Sequence, residues 1–142
     1  MKKIYLDSCV IIYLIEGKVP FYTAVSQQFK QSVIQGDQFY TTDLARLECR
    51  THPIKQQKLD ILSDFDDFFS EAINNCFDLK RPVFDLATHL RANHSLKTPD
   101  ALHLAAAIHY GCHQFWTNDH RLQQAASDHL QVINLFVSQG AS

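Results

Sequence analysis

The segment from Leu96 to Asp119 constrains the fold more than any other part of the sequence. Thr98 is suited to be an N-cap, Pro99 fits a first helical turn, and Gly111 can take the left-handed conformation that ends a helix. These signals predict a helix over about residues 99 to 110. Its middle is apolar almost all round, which is typical of a helix packed between other elements.

Two acids mark this segment. Asp100 lies in the first turn of the predicted helix, where the helix dipole favours a carboxylate, and this is the simplest reason for its presence. Asp119 follows a predicted buried strand, Gln114 to Thr117, almost directly. Because ligands of open α/β sheets bind outside the carboxyl ends of the strands, we expect both acids to point to one edge.

The composition predicts one soluble domain over residues 1 to 142. A hydrophobic fraction of 46% with only 4 Gly and 4 Pro argues against disorder. The apolar run Val10 to Ile15 is too short to cross a bilayer, and Asp7 interrupts any signal peptide. We therefore expect a cytoplasmic protein without membrane contact.

Cysteine spacing and net charge exclude further classes of protein. The four cysteines form no C-x-x-C pair, which favours buried thiols over a zinc site or disulfide framework: Cys9, Cys49, Cys76 and Cys112. The net charge is -2, whereas proteins that bind nucleic acid strongly are usually basic. A nucleic-acid site would therefore need a local basic surface.

Strand and helix patterns alternate along the chain. The predicted strands are Lys3 to Leu6, Gln38 to Thr41, Cys76 to Leu79, Gln114 to Thr117 and Val132 to Phe136. The other predicted helices are Cys9 to Glu16, Phe21 to Gln35, Thr42 to a stop before His52-Pro53, 54 to 72 (the longest), Pro82 to about Asn93, and 120 to 127. The order β-α-α-β-α-α-β-α-α-β-α-β predicts an α/β fold with a mainly parallel, three-layered sheet of about five short strands.

Two more acids join the predicted edge, each with an ordinary alternative. Asp7 ends the first strand and is equally suited to be a helix N-cap or a metal ligand. Glu48 shares a helical face with Leu44 and Leu47, which would bring it inward, where an ionised carboxylate is costly unless it is paired or metal-bound. An exposed position beside an arginine is as consistent with the sequence.

Asp7, Glu48, Asp100 and Asp119 together predict a metal site. Carboxylates packed without a cation would raise one another's pKa values, and oxygen-only clusters suit Mg²⁺ or Mn²⁺ rather than zinc. Such a site can activate a water and stabilise a leaving oxygen, which favours phosphodiester hydrolysis. No Ser/His/Asp arrangement or Gly-rich phosphate loop competes with it.

The same segments resemble PIN-domain nucleases, and within them the VapC-type toxins of bacterial toxin/antitoxin pairs. The matching stretches are Ile4 to Ser8, Thr42 to Glu48, Thr98 to Ala105, and Thr117 to Asp119, in the family's order and spacing. The resemblance implies a PIN-like α/β/α fold, Mg²⁺ or Mn²⁺ as cofactor, RNA as substrate, a homodimer and a cognate antitoxin.

The resemblance also implies residue roles. Asp7, Glu48 and Asp100 would be core catalytic metal ligands and Asp119 a ligand sometimes used through water. Residues that would contact these ligands or the substrate are Ser8, Thr117, Lys97 and Arg46. The sequence departs from the common pattern at Cys9, where asparagine is frequent, and at Lys97, where arginine is frequent.

Other residues near the acids have ordinary interpretations. Cations that flank Glu48 are as consistent with a solvated helix as with phosphate contacts: Arg46, Arg50, Lys55 and Lys58. We predict His103 to be a hydrogen-bonded structural residue rather than a substrate contact, and Trp116 to be core. His109, Cys112 and His113 lack a fourth ligand, which argues against zinc.

Three alternatives to a nuclease were considered. A receiver domain needs a pair of acids after its first strand, and an aspartate phosphatase needs an acid where Cys9 stands. A PIN-fold module that binds a protein or RNA without cutting is the stronger alternative. We expect a partner to cover apolar residues on two helices: Ile11, Leu14, Phe65, Phe68 and Phe69.

Overall fold

A parallel sheet lies at the centre of residues 1–135, the part of the chain that this computed structural model describes. Its five strands are β1 (Lys3–Leu6), β2 (Gln38–Thr42), β3 (Asn75–Phe77), β4 (Gln114–Thr117) and β5 (Gln131–Asn134). They lie in the order β3-β2-β1-β4-β5, and each neighbouring pair is parallel. The predicted sheet is confirmed, while Phe136, the predicted end of the last strand, lies outside the described residues.

The helices follow the predicted alternation. They are α1 (Ser8–Glu16), α2 (Tyr22–Ile34), α3 (Asp43–Lys55), α4 (Leu59–Glu71), α5 (Arg81–His94), α6 (Thr98–His109) and α7 (Arg121–Ala126). None of these seven is long and apolar enough to cross a membrane.

Successive residues of β1 face opposite sides of the sheet, as the period of a strand requires. Ile4 and Leu6 pack with side chains of α1 to α4, whereas Tyr5 packs with α5 to α7. Trp116 is fully buried on the Ile4 side, as predicted. Every residue of α6 from Ala101 to Ala107 is buried, which confirms the central helix expected from its composition.

Two helix boundaries differ from the prediction by more than one residue. α3 continues through Pro53 to Lys55 instead of stopping before His52. Pro53 is buried in the last turn, where its missing N–H leaves only one helical carbonyl without its usual donor. α4 then begins at Leu59 rather than at residue 54, since Gln57 has a left-handed φ of 55° that breaks the helix. The longest helix is α5, with 14 residues.

The start of α6 is shifted by one residue. Thr98 is the first helical residue, and Lys97 takes the N-cap position without a side-chain capping bond. Pro99 remains in the first turn, and Gly111 has the predicted left-handed φ, 74°. The predicted cap at Thr98 was therefore wrong by one position.

The apolar surface expected to meet a partner is mostly core. Ile11 and Phe65 are fully buried and Phe69 is 8% exposed, so they offer almost no area to a partner. Leu14 and Phe68 are half-buried. The large apolar side chains exposed on α3 and α4 lie elsewhere, and the most exposed is Leu59 at 68%. Periodicity identified the apolar face of α4 but did not show that the sheet already covers it.

Candidate functional site

Two of the predicted site acids lie where the strand order reverses. β1 and β4 are neighbours in the sheet although β2 and β3 come between them in the chain. Asp7 directly follows β1, and its N–H donates to the Trp116 carbonyl of β4 at 3.0 Å. Asp119 follows β4 by two residues. The carboxyl edge at such a reversal is the usual ligand-binding position of open α/β sheets.

Asp7 is held by two short hydrogen bonds. Its Oδ1 accepts from the Ser8 N–H at 2.8 Å, so Asp7 is the N-cap of α1. Its Oδ2 accepts from the Thr117 hydroxyl at 2.8 Å, and only 6% of the residue is exposed. The capping function predicted as the alternative is present, and the second oxygen is fixed across the β1–β4 boundary.

Thr117 also fixes the backbone of Asp119, whose N–H donates to the same hydroxyl at 3.2 Å. We expect Thr117→Val to lower the free energy of unfolding by about 1.5–3 kcal/mol, because it leaves a buried carboxylate oxygen without its donor. Urea unfolding measures this change. Thr117→Ser retains the hydroxyl and is the control, so equal losses in the two variants would contradict this role.

Glu48 is one end of a hydrogen-bonded chain of side chains. Its Oε1 accepts from His103 Nε2 at 2.6 Å, and His103 Nδ1 lies 2.6 Å from the Tyr5 hydroxyl. The Tyr5 hydroxyl lies 3.1 Å from Thr42 Oγ1. Glu48 is 30% exposed while His103 is 1% exposed, so the chain runs from the site into the core.

The atoms of this chain can all be satisfied at once. If His103 Nε2 donates to Glu48, Nδ1 accepts from Tyr5 and Tyr5 accepts from Thr42. Burial opposes the charge on His103, but the hydrogen bond to Glu48, with Asp7, Glu48 and Asp100 nearby, raises the pKa of His103 above its ordinary value. Protonation reverses the direction of the Tyr5 and Thr42 bonds without breaking the chain.

Sequence reasoning identified His103 as a hydrogen-bonded residue but did not identify its partner. Its partner is Glu48 on α3, not Asp100 on its own helix. Tyr5 and Thr42 were not identified at all. A signal was available for Tyr5, since a tyrosine inside an apolar central strand needs a partner for its hydroxyl.

Asp100 interacts electrostatically with two other acids of the site. It is half-buried in the first turn of α6. Burial raises its pKa above the ordinary value, and the charges of Asp7 and Asp119 raise it further. His103 and Arg121 act in the opposite direction. The carboxylates predicted to meet at this edge therefore do influence one another.

Asp119 has a close cation that was not considered from the sequence. Arg121 Nε lies 2.9 Å from Oδ1 and Nη2 lies 2.6 Å from Oδ2, and the Arg121 N–H also donates to Oδ1. These hydrogen bonds lower the pKa of Asp119, with His120 adding a smaller effect of the same sign.

Removing the guanidinium should reverse this shift. We expect Arg121→Ala to raise the pKa of Asp119 towards its ordinary value. In the native protein the lowered pKa contributes stability at neutral pH, which is lost as pH falls through that pKa. NMR titration of the carboxyl carbon measures the change, with Arg81→Ala, an exposed position on α5, as control. An unaltered Asp119 titration would show that Arg121 does not set it.

The other predicted contact residues occupy different surroundings. Arg46 and Arg50 are not free beside Glu48, since Asp66 lies 3.8 Å from Arg46 Nη2 and 2.8 Å from Arg50 Nε. Lys97 is exposed at the start of α6, and its side chain makes no hydrogen bond or ion pair among residues 1–135. Ser8 supplies its backbone N–H to Asp7.

Two of the four site acids are already bound by other side chains. Within residues 1–135, no three His, Cys, Asp or Glu side chains are already arranged to hold a metal ion. Asp119 is engaged by Arg121, and Glu48 by His103. The chemistry of the donors still fits a hard divalent cation, because they are carboxylate oxygens whose mutual repulsion a cation would remove.

The cysteines do not compete for this function. None of the four is in a disulfide, and all are at least half-buried. Burial raises the pKa of each thiol, that of Cys112 to about 12. They therefore stay protonated at neutral pH and are poor nucleophiles and poor metal ligands, as their spacing predicted.

Comparison with known proteins supplies a family and a set of similar folds. Residues 4–128 match the family model of the PIN domain. No curated protein matches the sequence.

Three solved structures have similar folds. VapBC2 from Rickettsia felis, bound to a DNA fragment from their promoter, gives a TM-score of 0.76 at 15% identity, over 93% of this chain and 98% of that chain. FitAcB from Neisseria gonorrhoeae gives 0.71 at 14% identity, over 95% and 99%. A toxin-antitoxin complex from Klebsiella pneumoniae gives 0.60 at 16% identity, over 94% and 98%. At these identities the likeness concerns the fold.

Proposed function

The chain belongs to the PIN domain family, and on that premise we propose that it is a metal-dependent endoribonuclease that hydrolyses RNA phosphodiester bonds. The observation that carries this proposal is the group of acids at the β1–β4 boundary, where burial and then the charges of Asp7 and Asp119 raise the pKa of Asp100. A carboxylate group with this mutual repulsion is suited to bind a divalent cation.

We propose that Asp7, Glu48, Asp100 and Asp119 hold Mg²⁺ or Mn²⁺. When bound, the cation would supply an activated water and neutralise charge on the leaving oxygen. Thr117 and the Ser8 N–H keep both oxygens of Asp7 in fixed directions. Ligands fixed in this way lose less freedom when they bind a cation.

The remaining polar groups position Glu48 and the RNA. His103 holds Oε1 of Glu48, which leaves Oε2 without a hydrogen bond among residues 1–135. We propose that Oε2 orients the attacking water and accepts its proton. Lys97, exposed and without an ion pair in the described chain, is suited to contact a phosphate. Arg46 is less suited than expected, since Asp66 lies near it.

We further propose that the protein is the toxin of a toxin-antitoxin pair, acts in the cytoplasm as a homodimer, and is inhibited by a cognate antitoxin. The similar folds of a VapBC complex and of a Klebsiella pneumoniae toxin-antitoxin complex support this biological context. Co-purification with the product of the neighbouring open reading frame tests the partner.

Incubation of the purified protein with total cellular RNA tests the activity. We expect discrete cleavage in Mn²⁺ or Mg²⁺, none in EDTA, and 5′ and 3′ ends that map to a restricted set of sites. Random degradation, or cleavage that persists in EDTA, would contradict the proposal.

A non-catalytic binding module is the second candidate. The engagement of Asp119 by Arg121 and of Glu48 by His103 favours it, because each of these carboxylates already has a hydrogen-bond donor without a cation. The same RNA assay separates the candidates, since a binding module would retain RNA or a protein partner with no cleavage in any metal.

A further inference from the structure

A cavity of about 470 Å³ opens beside the site acids, between the end of α5 and α7. We name it the α5–α7 cavity. Each residue in its lining carries a side chain that can form hydrogen bonds: Asn93, His94, Ser95, His120, Arg121 and Gln124. None of these six is acidic, and none is apolar.

Charge in the α5–α7 cavity is therefore of one sign. Arg121 is always cationic, and the amides of Asn93 and Gln124 can donate hydrogen bonds to an anion. An anion is the ligand that this lining favours.

Arg121 joins the cavity to the site acids. Its Nε and Nη2 bind Asp119, while Nη1 makes no hydrogen bond within the described part of the chain. The charge of Arg121 also lowers the pKa of Asp100. A group bound in the cavity would thus lie next to the acids, on the far side of a shared guanidinium.

Two other cavities are less suited to an anion. One on α3 contains Arg46 and Arg50, but Asp43 lies in its lining and Asp66 lies close to both arginines. The other, between α5 and α6, is lined partly by Phe84, Ala87 and Leu102. Of the three linings, only that of the α5–α7 cavity has neither an acidic nor an apolar side chain, and Asp119, which pairs with Arg121, lies outside it.

We propose that the α5–α7 cavity is a subsite for a backbone phosphate of the RNA strand, adjacent to the phosphodiester that is cut. This inference rests on the proposed ribonuclease function and adds the path of the substrate. Arginine, histidine and amide donors are the groups that proteins use to bind phosphate and set the position of a strand without reading its sequence. The cavity should therefore contribute affinity with little base preference.

Adjacent glutamines on α7 provide a matched test. Gln124 lines the cavity and Gln123 does not, although both are exposed on the same helix. In an Asp100→Asn background with Mg²⁺, fluorescence anisotropy measures the affinity for a labelled single-stranded RNA. We expect Gln124→Glu to raise Kd about tenfold by like-charge repulsion, and Gln123→Glu to change it less than about twofold through screening. Gln124→Lys should lower Kd and steepen its salt dependence.

Three results would overturn the subsite. Equal RNA affinities in the two glutamate variants, while the parent protein cleaves RNA, would remove the subsite and leave the proposed function intact. Weakened binding of poly-glutamate but not of RNA by Gln124→Glu would assign the cavity to an acidic protein segment. Absence of both RNA binding and RNA cleavage in the parent protein would overturn the proposed function as well.

Discussion

Asp100→Asn should abolish RNA cleavage while leaving the fold intact. We expect a loss greater than the ~100-fold that removing an outer partner of a metal ligand costs, because the substitution removes a proposed ligand itself. Measurements of cleavage rate in Mn²⁺ and Mg²⁺, with Mn²⁺ affinity from calorimetry, test both parts of the expectation.

The stability of this variant provides an independent readout. Because the pKa of Asp100 is raised in the folded protein, its ionised form opposes folding at neutral pH. Asparagine removes that charge, so the melting temperature should stay unchanged or rise. Asp85→Asn, an exposed position on α5, is the control for both assays. An inactive but strongly destabilised protein would mean that Asp100 is structural, and full activity would remove it from the site.

His103→Leu should damage stability and activity together. The substitution deprives Glu48 of its donor and leaves the buried Tyr5 hydroxyl with Thr42 alone. Breaking a buried charged hydrogen bond costs about 3–5 kcal/mol, and the partial exposure of Glu48 reduces our expectation to about 2–4 kcal/mol. We expect cleavage to fall by about 10–100-fold, mainly in kcat, because Glu48 loses its fixed orientation.

A second substitution separates the effect of His103 on the orientation of Glu48 from its effect on stability. His103→Gln can still donate to Glu48, so it should recover part of kcat even if the protein stays less stable. His109→Leu changes an exposed histidine near the end of the same helix and should alter neither quantity. If His103→Leu were destabilised but retained full kcat, His103 would be a packing residue with no influence on Glu48.

The sequence predicted the arrangement of elements because its signals are local. An acid directly after an apolar strand identifies Asp7, and proline with a later glycine delimits α6. Parallel strands present their carboxyl ends at one edge, so the placement of Asp7 and Asp119 followed from the order of elements alone. The metal-ligand function of these acids remains a prediction.

The partners of the acids depended on packing between distant segments. The bond from His103 to Glu48 joins residues 55 positions apart, and that from Thr117 to Asp7 joins residues 110 positions apart. No period or spacing encodes such pairs. The Asp119–Arg121 contact is different, since the two residues are only two positions apart. A cation so near a predicted ligand was a signal that sequence reasoning passed over.

The expected partner surface failed for a related reason. A stripe of phenylalanines on α4 shows which face is apolar, but it does not show whether another element covers that face. Phe65 and Phe69 meet β-sheet side chains and α1, and so belong to the core. Whether a side chain is exposed depends on how the layers assemble. The sequence pattern of a single helix does not show this.

The central position of β1 has a consequence for synthesis of the protein. β1 pairs with β4, and Asp7 receives its Thr117 bond only after more than a hundred further residues have been made. Contacts of such long sequence separation form late, and an incomplete chain on the ribosome has the first acid without the others. A chain that ends before Thr117 therefore lacks the hydroxyl that fixes Asp7, and the acids cannot meet until β4 has been made.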